Sequence, residues 1–413
     1  MENADYWLER AKQNAVHEFQ YAQRKAQLVT RWFHRCTREM QRRINDYYRK
    51  YAEKESVSYP AAKAILSDRQ ELDLTLEEYQ RLAQKYPQDP VSKKLLDKVY
   101  YHRTISREQY LILQLNMLAT QLYGDYAEAT GQSLTKTFEE VYYKTIFDYQ
   151  QFVGAGSAAF GRISTHQIEA AAFTAWKGQN YSERIWGDHR VSLARYLNRI
   201  VTSGAIQGTS NGQMATELQK AMDMSAYQAR RLIRTENSQV SSRANLLAYQ
   251  ENGTPRFQFR AVLDYKTSEI CRHMDGKVFP VSEGRSGVNM PPLHPFCRSK
   301  TVPYIPDEEM DADNTRAARN GKGETYKVPA DMTYRDWYDK YVKGHADELL
   351  AEQKYKNGMS DAKQYEKYKA TLGKKAPRSL DQFQNLKYAD PVAWDSLKSQ
   401  YRSQNYKDRK AGK

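Results

Sequence analysis

Between Asp264 and Arg298 the chain reads DYKTSEICRHMDGKVFPVSEGRSGVNMPPLHPFCR, a run that ordinary helix packing does not explain. It gathers two of the three cysteines, two of the eight histidines and four prolines among turn-forming residues, so this stretch has to close on itself as a compact knuckle. Cys271 and His273 stand at one end and His294-Pro-Phe-Cys297 at the other. Soft ligands converging from two ends of one loop suit either a metal clip or a tightly folded turn held by proline packing, buried thiols and hydrogen bonds from His294.

The flanks of the knuckle change period. Phe257 to Leu263 alternates as a strand does, Asp275-Gly276 is a hairpin-type turn, Lys277 to Pro280 suits the returning strand, and Thr301 to Tyr304 adds a third. Elsewhere the pattern is helical. An apolar stripe from Leu8 to Tyr51, including Val29, Phe33, Cys36, Met40 and Ile44, predicts one helix over about 4–55. One or two short helices are expected over 61–85 and three over 90–152, the middle one opened by Ser106 with Gln109 in capping-box spacing. The glycines of 154–156 read as a helix joint. Three short-looped helices follow over 164–252, the last opened by Ser225 with Gln228 and closed by Asn252-Gly253. After Pro306 come an acidic run, a surface linker around Asn320 to Gly323, and helices at about 334–353 and 364–370 anchored by Trp337 and Trp394. Residues from Arg402 onward are expected to fray. The fold class expected is mainly α, an elongated multi-helix body with a small β-hairpin and Cys-His knuckle appended.

A formal charge of +14 makes polyanions the natural partners, with nucleic acid ahead of lipid. The outer face of the first helix carries Arg35, Arg38, Arg42, Arg43 and Arg49, a stripe suited to phosphates without sequence preference or to an acidic ring of a partner. Mean hydropathy is −0.88 and no run approaches the roughly 20 apolar residues of a membrane span. The polar start carries no signal-peptide pattern, so the protein is expected in the cytosol, where three cysteines make no disulfide framework.

One ordered combination goes further. Arg234-Thr235-Glu236 on a helix is followed by Asp264 and Thr267, Cys271, Met274-Asp275-Gly276-Lys277-Val278-Phe279, then Pro291-Pro292, His294-Pro295 and Cys297-Arg298. It resembles the Mu F-like domain of tailed-phage minor head proteins, also called head morphogenesis proteins, over roughly residues 180–305. The resemblance implies a low-copy virion component working near the portal with the major capsid or scaffolding protein, touching double-stranded DNA, and it implies no catalysis. On that basis the chain divides into an N-terminal helical region (1–152), the helical core of the Mu F-like domain (153–254), the β knuckle (255–306) and a charged linker with a helical tail (307–413).

The chain also departs from the pattern. Metal-binding members carry Cys-x-x-Cys where this sequence has Ser268-Glu269-Ile270-Cys271, so one thiolate is missing. Cys271, His294 and Cys297 remain as ligands for one zinc ion, with His273, Asp264 or Asp275 as the fourth. A rival reading is a metal-dependent nuclease in which His294 activates water, helped by Asp264, Asp275 or Glu283. Arg234 and Glu236, about 200° apart on a helix, are expected to serve structure, one reaching the knuckle and the other the preceding helices.

Overall fold

The computed structural model describes residues 3–52, 69–101, 107–152, 162–207, 211–304 and 315–410. The chain is mainly α with small antiparallel sheets. It divides into two compact units, one taking in Tyr6–Arg256 and Pro280–Cys297, the other Phe257–Phe279 and Arg298–Lys413.

The first unit is built from long helices. Helix α1 (Asn3–Ala52) buries Ala22, Ala26, Val29, Phe33, Met40 and Ile44 at helical spacing, a stripe whose larger side chains each contribute about 1.5–3 kcal/mol. Helices α2 (Arg69–Lys85) and α3 (Pro90–Tyr101) lead to α4 (Arg107–Phe152). Three helices were expected over 90–152, but the second and third are one, because Leu115, Ala119, Leu122, Tyr126, Leu134, Phe138 and Ile146 keep a single face buried throughout. Ser106 and residues 154–157 lie outside the described residues. After α5 (Thr165–Ala172), α6 (Tyr181–Glu183) passes through a π-helical segment, Arg184–Arg190, into α7 (Val191–Gln207). The segment buries Ile185, Trp186, His189 and Arg190; Arg190 donates to Asp89, Asn116 and Thr120.

Helix α8 (Asn211–Glu251) corrects a second expectation. Ser225 does not open a helix; its hydroxyl donates to the Ala221 carbonyl at 2.9 Å, which satisfies the side chain inside a continuous helix. Helix α8 does end at Glu251, where Gly253 takes φ +66° and the Thr254 amide donates to the Tyr249 carbonyl. Helices α4 and α8 are keyed together by polar contacts: Asn237 Oδ1 accepts from Ser133 and Thr137, and Asn245 Oδ1 from Thr145. One apolar core therefore draws on residues either side of position 152.

The second unit opens with β1 (Arg256–Arg260), central in a sheet of order β2-β1-β3 with β2 (Val278–Pro280) and β3 (Lys300–Pro303). Strand β1 pairs antiparallel with β3, Phe257 opposite Pro303 and Arg260 opposite Lys300. The simple hairpin expected between β1 and β2 is interrupted by helix α9 (Glu269–Met274), so Asp275-Gly276 turns the chain out of a helix. Residues 320–323, read as linker, form the tip of a hairpin of β4 (Thr315–Arg319) and β5 (Thr325–Pro329), where Asn320 Oδ1 accepts the Lys322 and Glu324 amides. The acidic run 307–313 lies outside the described residues.

Helix α10 (Tyr334–Tyr341) starts from a capping box on Thr333 and buries Trp337 in a cluster with Leu263, Tyr265, Ala318 and Val328. The helix expected over 334–353 is broken before α11 (Ala346–Leu372), with Gly344 at φ +88° in the break. Helix α11 also absorbs the element expected at 364–370, then packs with α12 (Leu380–Ala389) and α13 (Pro391–Lys410) around Tyr365, Tyr368, Phe383 and Leu397. Fraying from Arg402 is not seen, because Tyr401 stacks on Tyr368 at 4.1 Å and α13 runs on to Lys410.

Candidate functional site

Arg234, Thr235 and Glu236 follow one another on α8 and turn to three different tasks. The Arg234 guanidinium lies between the rings of Phe19 and Phe296, 4.7 and 4.9 Å from their centroids. Thr235 is buried; its hydroxyl donates to the Arg231 carbonyl and accepts the Phe296 amide at 3.2 Å. That amide belongs to a residue at φ +62°, so Thr235 helps hold the His-Pro-Phe-Cys turn in a conformation that non-glycine residues rarely adopt. Glu236 points the other way and is ion-paired with Arg184, which also donates to the Trp176 carbonyl and covers the Trp176 ring. Burial pushes the Glu236 carboxyl up to about 7 against the pull of Arg184.

Asp264 and Asp275 act as hubs in the second unit. Asp264 accepts both ends of the Arg298 fork at 2.6 and 2.7 Å, plus the Lys266 amide and the Thr267 hydroxyl. Burial alone would raise its pKa, but Arg298 and these donors hold it below the usual carboxylate range. Asp275 accepts the Ala261 and Tyr334 amides and Arg316, joining the end of α9 to β1, β4 and α10. Gly276 follows at φ +81°, and a Cβ there would stand 3.1 Å from the Thr333 methyl, so both backbone and space favour glycine. Pro291-Pro292 is cis; Pro292 is buried and Pro295 exposed.

Of the six metal ligands considered, three come together. Cys271, His294 and Cys297 bring their ligand atoms within 4.8 Å of one another, with both thiols buried. His294 Nδ1 lies 2.8 Å from the Pro295 carbonyl, a contact that places the ring proton on Nδ1 and the imine lone pair on Nε2. His273 is not in the group. It is exposed on α9 with Nδ1 against the Glu269 carbonyl, because two residues along a helix rotate it about 200° from Cys271. Asp264 and Asp275, the other ligands considered, are held by arginines instead.

Of the α1 arginines, Arg35 and Arg38 are exposed. Arg42 and Arg43 share Glu39 at 2.6 and 3.2 Å, which leaves less charge to offer a partner, and the side chain of Arg49 lies outside those described. Sequence reasoning missed Arg184, Arg316 and Phe19, the partners of Glu236, Asp275 and Arg234. No local motif marks a residue whose role comes only from a distant contact.

The segment that carries this geometry matches a known family. Residues 196–302 match the family described as Phage Mu protein F like protein. This segment is similar to a Mu F-like domain. Beyond it, the chain is similar to the minor head protein GP7 of Bacillus phage SPP1, 24% identical over 256 residues that cover 58% of this chain and 80% of that protein. No solved structure matches. The resemblance to phage minor head proteins read from the Arg-Thr-Glu helix and the knuckle is thus supported by both comparisons, and no helix among the described residues is long and apolar enough to cross a membrane.

Proposed function

We propose that this protein is a low-copy component of a phage head that acts during head assembly beside the portal, with the major capsid or scaffolding protein, and that it is carried in the virion. The observation that carries the reading is the coincidence of the family match with the Arg234 to Arg298 constellation, beside a similarity that covers 80% of a minor head protein. Its role is to bind and position, not to catalyse. The exposed arginines of α1, Arg35 and Arg38 foremost, supply a sequence-independent contact to packaged double-stranded DNA.

In the same reading Cys271, His294 and Cys297 hold one zinc ion. Two sulfurs and one imidazole nitrogen match zinc's preference for soft and borderline donors, with water or a further side chain as fourth ligand. The metal would clip α9 to the His-Pro-Phe-Cys turn. The nuclease alternative needs a carboxylate to manage protons, and two of its candidates are occupied: Asp264 by Arg298 and Asp275 by Arg316.

The experiment is affinity purification of the tagged chain from infected cells, with the portal, capsid and scaffolding proteins quantified in the eluate. Co-purification of the portal at a fixed ratio, lost when assembly is blocked before the procapsid, is the expected result. Recovery of the chain without any head protein would overturn the reading.

A further inference from the structure

The charge of this chain is concentrated near its end. Residues 353–413 hold fifteen Lys and Arg against six Asp and Glu, a net of +9 out of the whole chain's +14. The described part of this stretch, most of α11 with α12 and α13, forms a bundle with its own aromatic core. The first turns of α11 are tied down by acidic residues, Glu348 accepting from Tyr265 and Gly321, and Glu352 from Tyr338 and Arg272. Beyond them the balance reverses.

Several of the bundle's acids cannot offset its surface. Asp361 is fully buried and spent on Lys387, Gln384 and Tyr388; Asp381 pairs with Lys354 and Asp395 with Lys398. What remains outside includes a run at the end of α11 and the turn after it, Lys363, Lys367, Lys369, Lys374, Lys375 and Arg378, against one exposed acid within it, Glu366. All six are exposed, and none forms an ion pair among the described residues. The last turn of α13 is basic as well.

We propose that this end of the bundle is a docking surface for the phosphate backbone of double-stranded DNA, separate from the α1 stripe. The proposal rests on the reading above that the protein works against packaged DNA. Three features favour a duplex backbone. Lysine dominates the surface, and lysine is depleted at the centres of protein interfaces, which are built on aromatic anchors. The bundle's stacked rings are turned inward, Tyr368 against Tyr401 and Trp394 with Phe383 fully buried, so residues 363–378 expose no large apolar or aromatic side chain as a platform for unpaired bases. Flexible ammonium groups around a bundle end act as point charges that accept phosphates without fixed register, and a duplex offers one negative charge per roughly 1.7 Å of axis.

The test is fluorescence anisotropy of a labelled short duplex titrated with the full chain across a range of salt. Three proteins are compared: wild type, K374E/K375E/R378E, and K93E/K94E/K98E, which makes the same change of charge at exposed positions of α3. The bundle variant is expected to bind on the order of tenfold or more weakly at low salt, with the slope of log affinity against log salt shallower by about two to three. The α3 variant should stay within a few-fold of wild type, and unfolding midpoints should be unchanged. Wild-type binding that the bundle variant keeps in full, or that the α3 variant loses equally, would overturn the bundle as the site while leaving DNA contact standing. Failure of the wild type to bind duplex at any salt would overturn both.

Discussion

Glu236 and Asp264 are both buried carboxylates facing an arginine, 1% and 5% exposed, yet their protons are held in opposite directions. Asp264 receives a two-pronged guanidinium, a backbone amide and a hydroxyl, enough to outweigh its desolvation and keep it ionised. Glu236 receives Arg184 on one oxygen only, and its Oε2 has no hydrogen-bond partner among the described residues, so burial wins. The same residue class in the same kind of interior is thus sorted by the number of donors around it, which is what makes one a fixed tie and the other able to change charge near neutral pH.

The strongest way to break the contrast is Arg298→Ala. It leaves Asp264 buried without its charge partner, and the expected loss is on the order of 3–5 kcal/mol in urea unfolding, with the Asp264 carboxyl moving up toward the behaviour of Glu236. An unchanged midpoint would mean that Asp264 is solvated by some other route. Removing metal comes next: if zinc occupies Cys271, His294 and Cys297, a strong chelator should lower stability by about 2–3 kcal/mol, and Cys297→Ser should abolish both the bound zinc in elemental analysis and the effect of the chelator.

The pH dependence sharpens the contrast further. Asp264, depressed when folded, contributes stability that is present above its unfolded value of 3.8 and lost as the pH falls through its lower folded value. Glu236 has the opposite sign. Its folded value near 7 exceeds its unfolded value of 4.5, so the folded state binds the extra proton between them and stability falls as pH rises across that window. The difference between wild type and Glu236→Gln should therefore grow against wild type from about pH 4.5 to 7 and then level off, and a flat difference would show that Glu236 is ionised throughout. The smallest effect expected is that of Arg234→Ala, which removes the contacts with Phe19 and Phe296 at a cost of about 1 kcal/mol.

Much of this was legible in the residues. The apolar stripe of α1, the close of α8 at Asn252-Gly253 and the strand periods around the knuckle are local signals, and each appears close to where its pattern places it. The errors share one cause. Ser225 looks like a boundary because its propensity favours helix ends, but the buried face of α8 continues through it, with Ala221, Met222, Ala226 and Ala229 all in the core, and tertiary packing decides. Asn320-Gly321 reads as linker because its flanking strands are too polar to announce themselves, and their one buried residue each, Ala318 and Val328, packs against residues elsewhere in the chain, Leu263, Tyr265 and Trp337. The grouping of Cys271, His294 and Cys297 follows from spacing; the exclusion of His273 needed helix α9, which six residues between turn signals do not reveal.

The most direct test of the central claim is quantitative mass spectrometry of purified, DNA-filled particles, with this chain scored against the portal subunit. The account predicts a low copy number that stays constant across preparations and survives removal of loosely bound protein. Absence from the particles, or a ratio that varies with washing, would contradict it.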